Sequence, residues 1–390
     1  MDTLRPPHLL LVVNHLPFLA SHRREIALEA LRQGYRVSIA CPDDPMMTQF
    51  ADDCFEMHGI RLSRARISPV SEVQSLIGLV RLFRQIRPDV VHLITPKPVI
   101  YGGLAARASG IPVLAAISGL GHVFAGQSLR QRVLRRIARL AYRGALNHPR
   151  CRVVFQNSDD LKVFRDAGIM DKAQTALIPG SGVDLTRIRP QPLSDGPPVV
   201  LLPARMLRAK GVPEFLDAAE VFRTRGHGAV FRLLGDPDPM NPTSLTRDEL
   251  EMAARAPNVE WRPYNADMNA ELAQAHLVVL PSSYREGLPK TLIDAAAAGR
   301  SVVTTDHPGC RDAILPGETG LLVRVHDAAG TARAIAELLD DPDRLRAMGA
   351  AARLHAERVF DIDLVVRRHC TFYAELCGSG PTPHQEQSTA

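Results

Sequence analysis

The sequence predicts an α/β protein of two doubly wound domains, each a parallel sheet with helices on both faces. Three observations predict this. Short apolar runs of strand length alternate with helix-length stretches along the chain. A join rich in glycine and proline, residues 178–198, splits the 390 residues into two parts of ordinary domain size. Apolar residues make up 45% of the composition, enough to fill two cores. The expected limits are 1–190 for a first domain and 191–360 for a second. A closing helix at 361–377 and a polar, disordered tail at 378–390 follow.

In the first half, Leu9–Val13 is the opening strand, too short to be the core of a signal peptide. Ser21–Gln33 is helical and closed by Gly34, and Val37–Ala40 is the second strand. Thr48–His58 reads as a helix. Gln74–Ile86 is a helix leading to the strand Val90–Ile94. Tyr101–Ala108 is a helix leading to the strand Val113–Ile117, and Val153–Gln156 is a further strand. Ligands of such sheets bind at the carboxyl ends of the strands, so the loops there carry the candidates. In Asn14–Arg24, Ser21 is placed to cap the next helix. In Thr95–Pro98, prolines on both sides hold Lys97 in an extended segment, a point charge for phosphate. In Ser118–Phe124, Gly119 and Gly121 permit close approach of a ligand beside His122. Ser158 is placed to cap a helix after the last of these strands.

The net charge of +5 is unevenly placed: residues 1–190 hold 26 basic and 15 acidic side chains, a net +11, leaving −6 for the remainder. A basic half implies an anionic partner. No basic patch is interleaved with aromatics, which argues against nucleic acid and for a membrane surface or a lipid diphosphate. The densest cationic stretch is 127–147, a helix with six arginines between Arg130 and Arg143 and no acid. Its apolar residues Val133, Ile137 and Leu140 share one face, so it either packs that face on the core or lies on an anionic inner-membrane surface. No apolar run reaches the roughly 18 residues of a membrane-spanning helix. The six cysteines form no CxxC pair, which fits a reduced, cytoplasmic protein.

In the second half, Val199–Pro203 opens the sheet, and Arg205 and Lys210 flank the loop before a helix near Pro213. Val230–Leu234 ends at Gly235, where backbone can approach a nucleotide, and Val259–Arg262 leads to Tyr264. Helices at Thr331–Leu339 and Asp343–Phe360 end this half. Its informative stretch is 275–317. The apolar run Leu277–Leu280 reads as a buried strand stopped at Pro281. Pro289 suits the first turn of a helix running through Thr291–Ala298 and ended by Gly299. The amino end of such a helix can hold a diphosphate without a metal. Glu286 lies just ahead of that end, able to reach a group beyond the phosphates. Lys290 and Asp294 share one helix face, with Asp294 available to ribose hydroxyls.

Glu286, Gly287-Leu288-Pro289-Lys290 and Asp294, with the flanking LPSSYREGLPKTLIDAAAAGR and VVTTDHPGCRD, resemble the signature of the retaining glycosyltransferases of family 4. The family's second acid is usually glutamate, and here it is Asp294. The resemblance implies the GT-B fold: two Rossmann-like domains facing a central cleft, with a C-terminal helix crossing back to the first. It implies a nucleotide-sugar donor, most plainly a UDP-sugar, held without metal by Arg205, Lys210, Gly235, Tyr264, Glu286, Gly287, Leu288, Pro289 and Asp294. It makes Glu286 a group that positions sugar hydroxyls. Asn14–Arg24 is similar to the family's FFLSHR-type loop, which makes Ser21 and His22, with Lys97, the acceptor side. In SGLGHVF, His122 stands where relatives often carry an aromatic, and broader relatives place a histidine near the transferred sugar. TPKPVIYGG and SGLGHVF are most similar to bacterial enzymes that extend polyprenyl-diphosphate-linked sugars for surface polysaccharides. A UDP-sugar epimerase and a non-catalytic scaffold share this architecture and stay open on sequence alone.

Overall fold

The computed structural model describes residues 5–62, 69–120, 129–170 and 175–378. The chain forms two compact units: residues 1–178 with 364–390, and residues 179–363. His122 and the tail from 379 lie outside the described residues.

The first unit runs β1 (His8–Val12), α1 (Leu16–His22), α2 (Arg24–Arg32), β2 (Arg36–Cys41), α3 (Met47–Asp52) and β3 (Glu56–Gly59). It continues α4 (Pro69–Ile86), β4 (Val90–Ile94), α5 (Pro96–Ser109), β5 (Val113–Ile117), α6 (Leu129–Leu146), β6 (Cys151–Phe155), α7 (Ser158–Asp166) and β7 (Thr175–Leu177). Its seven strands are parallel in the order β3-β2-β1-β4-β5-β6-β7. β1, β4 and β5 are buried at every position, which is why they read as unbroken apolar runs rather than alternating ones. Under α4, α5 and α6 a single core joins Leu79, Phe83, Val99, Tyr142 and Leu146 to Leu10, Val91 and Val113. Gly103 lets α5 and α6 touch, because a Cβ there would lie 2.8 Å from that of Ala145.

The second unit runs β8 (Val199–Pro203), α8 (Val212–Thr224), β9 (Val230–Leu234), α9 (Arg247–Ala253), β10 (Val259–Arg262), α10 (Met268–Gln274) and β11 (Leu277–Leu280). Then come α11 (Lys290–Ala297), β12 (Ser301–Thr305), β13 (Gly320–Val323), α12 (Ala328–Leu339) and α13 (Pro342–Val359). Its sheet is parallel in the order β10-β9-β8-β11-β12-β13. Strand order therefore reverses between β1 and β4 in one sheet and between β8 and β11 in the other, the switch points where such sheets take ligands.

The last helix, α14 (Ile362–Cys377), belongs to the first unit from Leu364 onward. It is held through a buried polar cluster. Tyr373 Oη lies 2.7 Å from Nδ1 of His92 on β4, and the rings of His92 and His369 are 5.5 Å apart. Arg23, between α1 and α2, is 2% exposed, and its Nε and Nη1 have no hydrogen-bond partner among the described residues. Burial and the Arg23 cation push His369 down to about 3, and burial, then the neighbouring His369 and Arg23, lowers His92 as well. Both histidines are therefore neutral at pH 7.

Several local expectations are corrected. Thr48–His58 is not one helix: α3 stops at Asp52, Cys54 takes a positive φ of 70°, and the chain turns into β3. The segment expected to run from Ser21 to Gln33 is two helices, and the loop before it is α1. α5 starts at Pro96 rather than Tyr101, since prolines at its first and third positions fit a helix's first turn. The α7 cap is Asn157, whose side chain accepts from the Asp160 amide, and not Ser158. On α6, Val133, Ile137 and Leu140 are 53%, 58% and 63% exposed, so the helix does not turn that stripe to the core.

Candidate active site

The candidate site is built on loops that leave β8 and β11 at the switch point of the second sheet. After β8 the chain passes Arg205, a tight turn at Arg208–Lys210, and Gly211. Gly211 holds φ +81°, and a Cβ on it would lie 2.2 Å from the Pro281 carbonyl oxygen. Only glycine lets this loop press against the one after β11. The contact is tied by Ser282 Oγ, which donates to the Ala209 carbonyl at 3.2 Å, and by the Ser283 amide, which donates to the same oxygen at 2.9 Å.

That contact brings Lys210 to Glu286. The ammonium donates to Glu286 Oε1 at 2.5 Å, and Ser282 Oγ lies 3.3 Å from the same oxygen. Lys210 is 9% exposed, and its Nζ sits 6.0 Å from the centre of the Tyr284 ring. Two charges this close and this sheltered interact more strongly than a surface pair.

α11 starts directly after this loop. Pro289 is its N-cap rather than its first helical residue, and its carbonyl accepts from the Leu292 amide at 3.0 Å. Pro289 offers no side-chain cap, and a helix leaves its first amides, here those of Lys290 and Thr291, without an intrahelical partner. Along the helix Lys290 donates to Asp294 Oδ1 at 2.7 Å, and Asp294 is 7% exposed. Thr291 Oγ1 donates to the Pro203 carbonyl at 2.7 Å, fixing α11 to the end of β8. Gly180, with φ +70°, packs where a Cβ would lie 2.3 Å from Ile293 Cδ1.

The remaining expected donor residues lie at neighbouring strand ends. Arg205 donates to Asp238 Oδ2 at 2.7 Å and is half exposed. Gly235 holds φ +143°, and a Cβ there would lie 2.0 Å from the Ala204 carbonyl oxygen, so its close approach is to the loop after β8. The Trp261 indole donates to the Gly235 carbonyl at 2.9 Å. Tyr264 is 65% exposed, and its amide donates to Asp236 Oδ1 at 3.3 Å.

One positioning residue was not singled out from sequence. Gly309, with φ +84°, sits where a Cβ would be 2.7 Å from the Glu286 carbonyl oxygen and 2.6 Å from that of Gly287. It backs the loop that presents Glu286. His307 Nε2 lies 3.0 Å from the Ser283 carbonyl and Thr305 Oγ1 donates to the Ser282 carbonyl at 2.5 Å, so the turn after β12 buttresses the same loop. The signal was the HPG tripeptide after a strand, a turn signature whose partner loop a sequence does not name. Beneath lies Cys310, fully buried; burial foremost, then the Glu286 charge, pushes its thiol up to about 12. It stays protonated and unreactive at neutral pH.

The acceptor candidates belong to the first unit. Ser21 does not cap α2. It lies in the last turn of α1, where its hydroxyl donates to the Pro17 carbonyl at 2.9 Å and lies 2.7 Å from His22 Nδ1. The His22 ring stacks on Phe18 at 4.1 Å. Lys97 is not extended: it lies in the first turn of α5 and donates to Glu72 Oε1 on α4 at 2.8 Å. Beside it Thr95 holds φ +77°, rare for a β-branched residue, with its hydroxyl donating to Asn14 Oδ1 at 2.7 Å. That bond ties the ends of β1 and β4 at the first sheet's switch point. Among the described residues no group of three or more His, Cys, Asp or Glu is arranged to hold a metal ion.

Two family models match the chain, glycosyl transferase 4-like over residues 8–157 and glycosyl transferases group 1 over residues 197–341. Among curated proteins the chain is 24% identical over 367 residues to N,N'-diacetylbacillosaminyl-diphospho-undecaprenol alpha-1,3-N-acetylgalactosaminyltransferase of Campylobacter jejuni, covering 90% of this chain and 94% of the relative. It is 23% identical over 324 residues to UDP-Gal:alpha-D-GlcNAc-diphosphoundecaprenol alpha-1,3-galactosyltransferase of Escherichia coli, covering 79% and 81%. The structure of sucrose-phosphate synthase from Thermosynechococcus elongatus superposes with a TM-score of 0.80 over 95% of this chain and 99% of that one, at 19% identity, a likeness of fold.

Proposed function

The chain belongs to the glycosyltransferases of the GT-B fold, and from that premise we propose that it moves a sugar from a UDP-sugar to a saccharide carried on a polyprenyl diphosphate. The observation that carries this reading is the meeting of Lys210, Glu286 and the start of α11, whose N-cap Pro289 has no capping side chain, at one sheet switch point. In it, Lys210, Arg205 and the first-turn amides of α11 neutralise the departing diphosphate without a metal. Glu286, next to Lys210, takes hydrogen bonds from sugar hydroxyls, and Asp294 takes them from ribose. Gly235 and Tyr264 border the nucleotide at the ends of β9 and β10. The bond from C1 of the sugar to the diphosphate oxygen breaks, and the acceptor hydroxyl oxygen bonds to C1 on the same face. Its proton passes to the leaving phosphate oxygen, so UDP departs and configuration is retained. Glu286, already shared between Lys210 and Ser282, acts as a binding group rather than a covalent nucleophile. His122 is assigned to the acceptor or transferred sugar by resemblance alone.

The acceptor end of the reading rests on the carboxyl edge of the first sheet, where Ser21, His22 and Lys97 lie. The names of both curated relatives include a diphospho-undecaprenol saccharide. A lipid-linked acceptor requires the enzyme to work at a bilayer. No described helix is long and apolar enough to cross one, and the exposed Val133, Ile137 and Leu140 beside the arginines of α6 support docking on the inner face of the cytoplasmic membrane. The test is a panel of UDP-sugars offered with a detergent-solubilised polyprenyl-diphosphate saccharide. Label transferred to the lipid is expected. Epimerised nucleotide-sugar formed without acceptor, or no turnover of any donor, contradicts the proposal.

A further inference from the structure

α4 carries an outward face that the proposed reaction does not use. Val70, Val73 and Ile77 are 66%, 57% and 44% exposed. Their spacing puts them on one stripe, which the exposed Arg81 and Arg84 continue toward the end of the helix. The helix already buries a separate apolar face, with Leu79 and Phe83 in the core. The outer stripe is therefore a second apolar face, and nothing among the described residues covers it.

This stripe and that of α6 lie on either side of α5. α5 packs against both α4 and α6, and the three helices share one core. The crossovers β3 to β4, β4 to β5 and β5 to β6 advance in one direction across the sheet, so their helices lie on the same side of it. The exposed apolar residues fall in the first half of α4, at Val70, Val73 and Ile77, and in the middle of α6, at Val133, Ile137 and Leu140. Each of these helices starts at the carboxyl edge of the sheet, so the α4 stripe begins at the rim that holds Lys97 and the α6 stripe about one turn below it.

The charge along α5 and α6 has one sign. Between Asp89 and Asp159 the chain has no acid and ten Lys and Arg. Glu72, the acid on α4, is engaged by Lys97. Arg132, Arg135, Arg136 and Arg139 line a surface hollow of about 390 Å³, suited in size and charge to anionic headgroups. Apolar side chains flanked by arginines complement an anionic bilayer.

We propose that α4 and α6 form a single docking surface for an anionic lipid bilayer, which sets the carboxyl edge of the first sheet at the headgroups. This rests on the membrane-linked acceptor reading and extends it from one helix to two. A single amphipathic helix on a membrane leaves the body free to roll about the helix axis. Two helices set on either side of α5 define a plane and fix which edge of the sheet meets the lipid. An acceptor diphosphate anchored in the headgroup layer then arrives at that edge without leaving the membrane.

The test is co-sedimentation of the purified full chain with phosphatidylcholine vesicles, with and without phosphatidylglycerol. Three proteins are compared: the native chain, the α4 pair Val73→Gln/Ile77→Gln and the α6 pair Ile137→Gln/Leu140→Gln. Circular dichroism and melting temperature follow the fold. Anionic vesicles are expected to bind the native chain, and each pair is expected to weaken that binding about tenfold or more. Transfer to a short water-soluble acceptor should stay at the native rate. Native binding by the α4 pair, with loss in the α6 pair, overturns the two-helix surface and leaves the one-helix reading standing. Native binding by both pairs overturns membrane docking itself. Should either pair alter the fold, Val73→Cys carrying an environment-sensitive dye, in a chain whose exposed Cys54 and partly exposed Cys377 are replaced by serine, gives a second readout. Its emission shifts to the blue on anionic vesicles if α4 is immersed, and an unshifted spectrum overturns the proposal.

Discussion

Lys210 and Glu286 are each other's nearest charge, and the account requires both to turn toward ligand when a diphosphate arrives. Lys210→Ala should cut transfer by about 100-fold or more, the loss typical of removing one preorganised group that meets developing charge. Glu286→Gln should do likewise while keeping the side chain's shape. Melting curves check that each fold survives. Native turnover in either variant removes the role given to that residue. Gly309→Ala forces a side chain into a positive φ and against two carbonyls of the Glu286 loop. It should cost about 1–3 kcal/mol of stability and lower transfer together with it, read by melting temperature and rate. Glu286 and Asp294 were legible because a strand, a proline and a helix fix their spacing within one short stretch. Lys97 was misread for a physical reason: prolines around it suit an extended chain and a helix's first turn equally, and only the Glu72 carboxylate, 25 residues away, favours the second. Ser21 resembled a cap because the break between α1 and α2 at Arg23 has no sequence signature of its own.

α14 shows what an element adds that its own residues do not announce. Its face toward β4 presents His369 and Tyr373 to His92 and to Arg23, whose Nε and Nη1 have no partner among the described residues. His369 is held at about 3 in the folded chain, whereas an unfolded histidine titrates near 6.5. The unfolded chain therefore takes up the proton first. Stability from the neutral ring is complete above about pH 6.5 and falls as pH drops toward 3, by about 2 kcal/mol at pH 5. Melting temperature measured between pH 7 and 4 should decline, and His369→Gln should flatten the decline while lowering the starting value. An equal slope in the variant contradicts the assignment. Helices and buried strands were legible at this scale because their apolar patterns are continuous. β3 was missed because Glu56–Gly59 has no apolar run: it is an edge strand, buried at none of its four positions. The orientation of α6 could not be read from its pattern, since an amphipathic stripe looks the same whether it meets a core or a bilayer.

The whole molecule divides its labour by charge and by sheet. The net +11 of residues 1–190 includes the arginines of α6 and α4, and the site proposed for the donor lies entirely in the second unit, whose side of the chain is acidic. The two-sheet plan was legible from alternation alone. The strand orders were not, because a crossover's destination depends on packing between residues far apart in sequence, and those orders create both switch points. The central claim is that Lys210, Arg205 and the start of α11 grip a nucleotide diphosphate. A crystal structure with UDP bound tests it most directly. The diphosphate is expected within hydrogen-bonding distance of Lys210 Nζ and the first-turn amides of α11, with the Lys210–Glu286 pair opened or shared. A nucleotide bound elsewhere, with that pair intact, would contradict it.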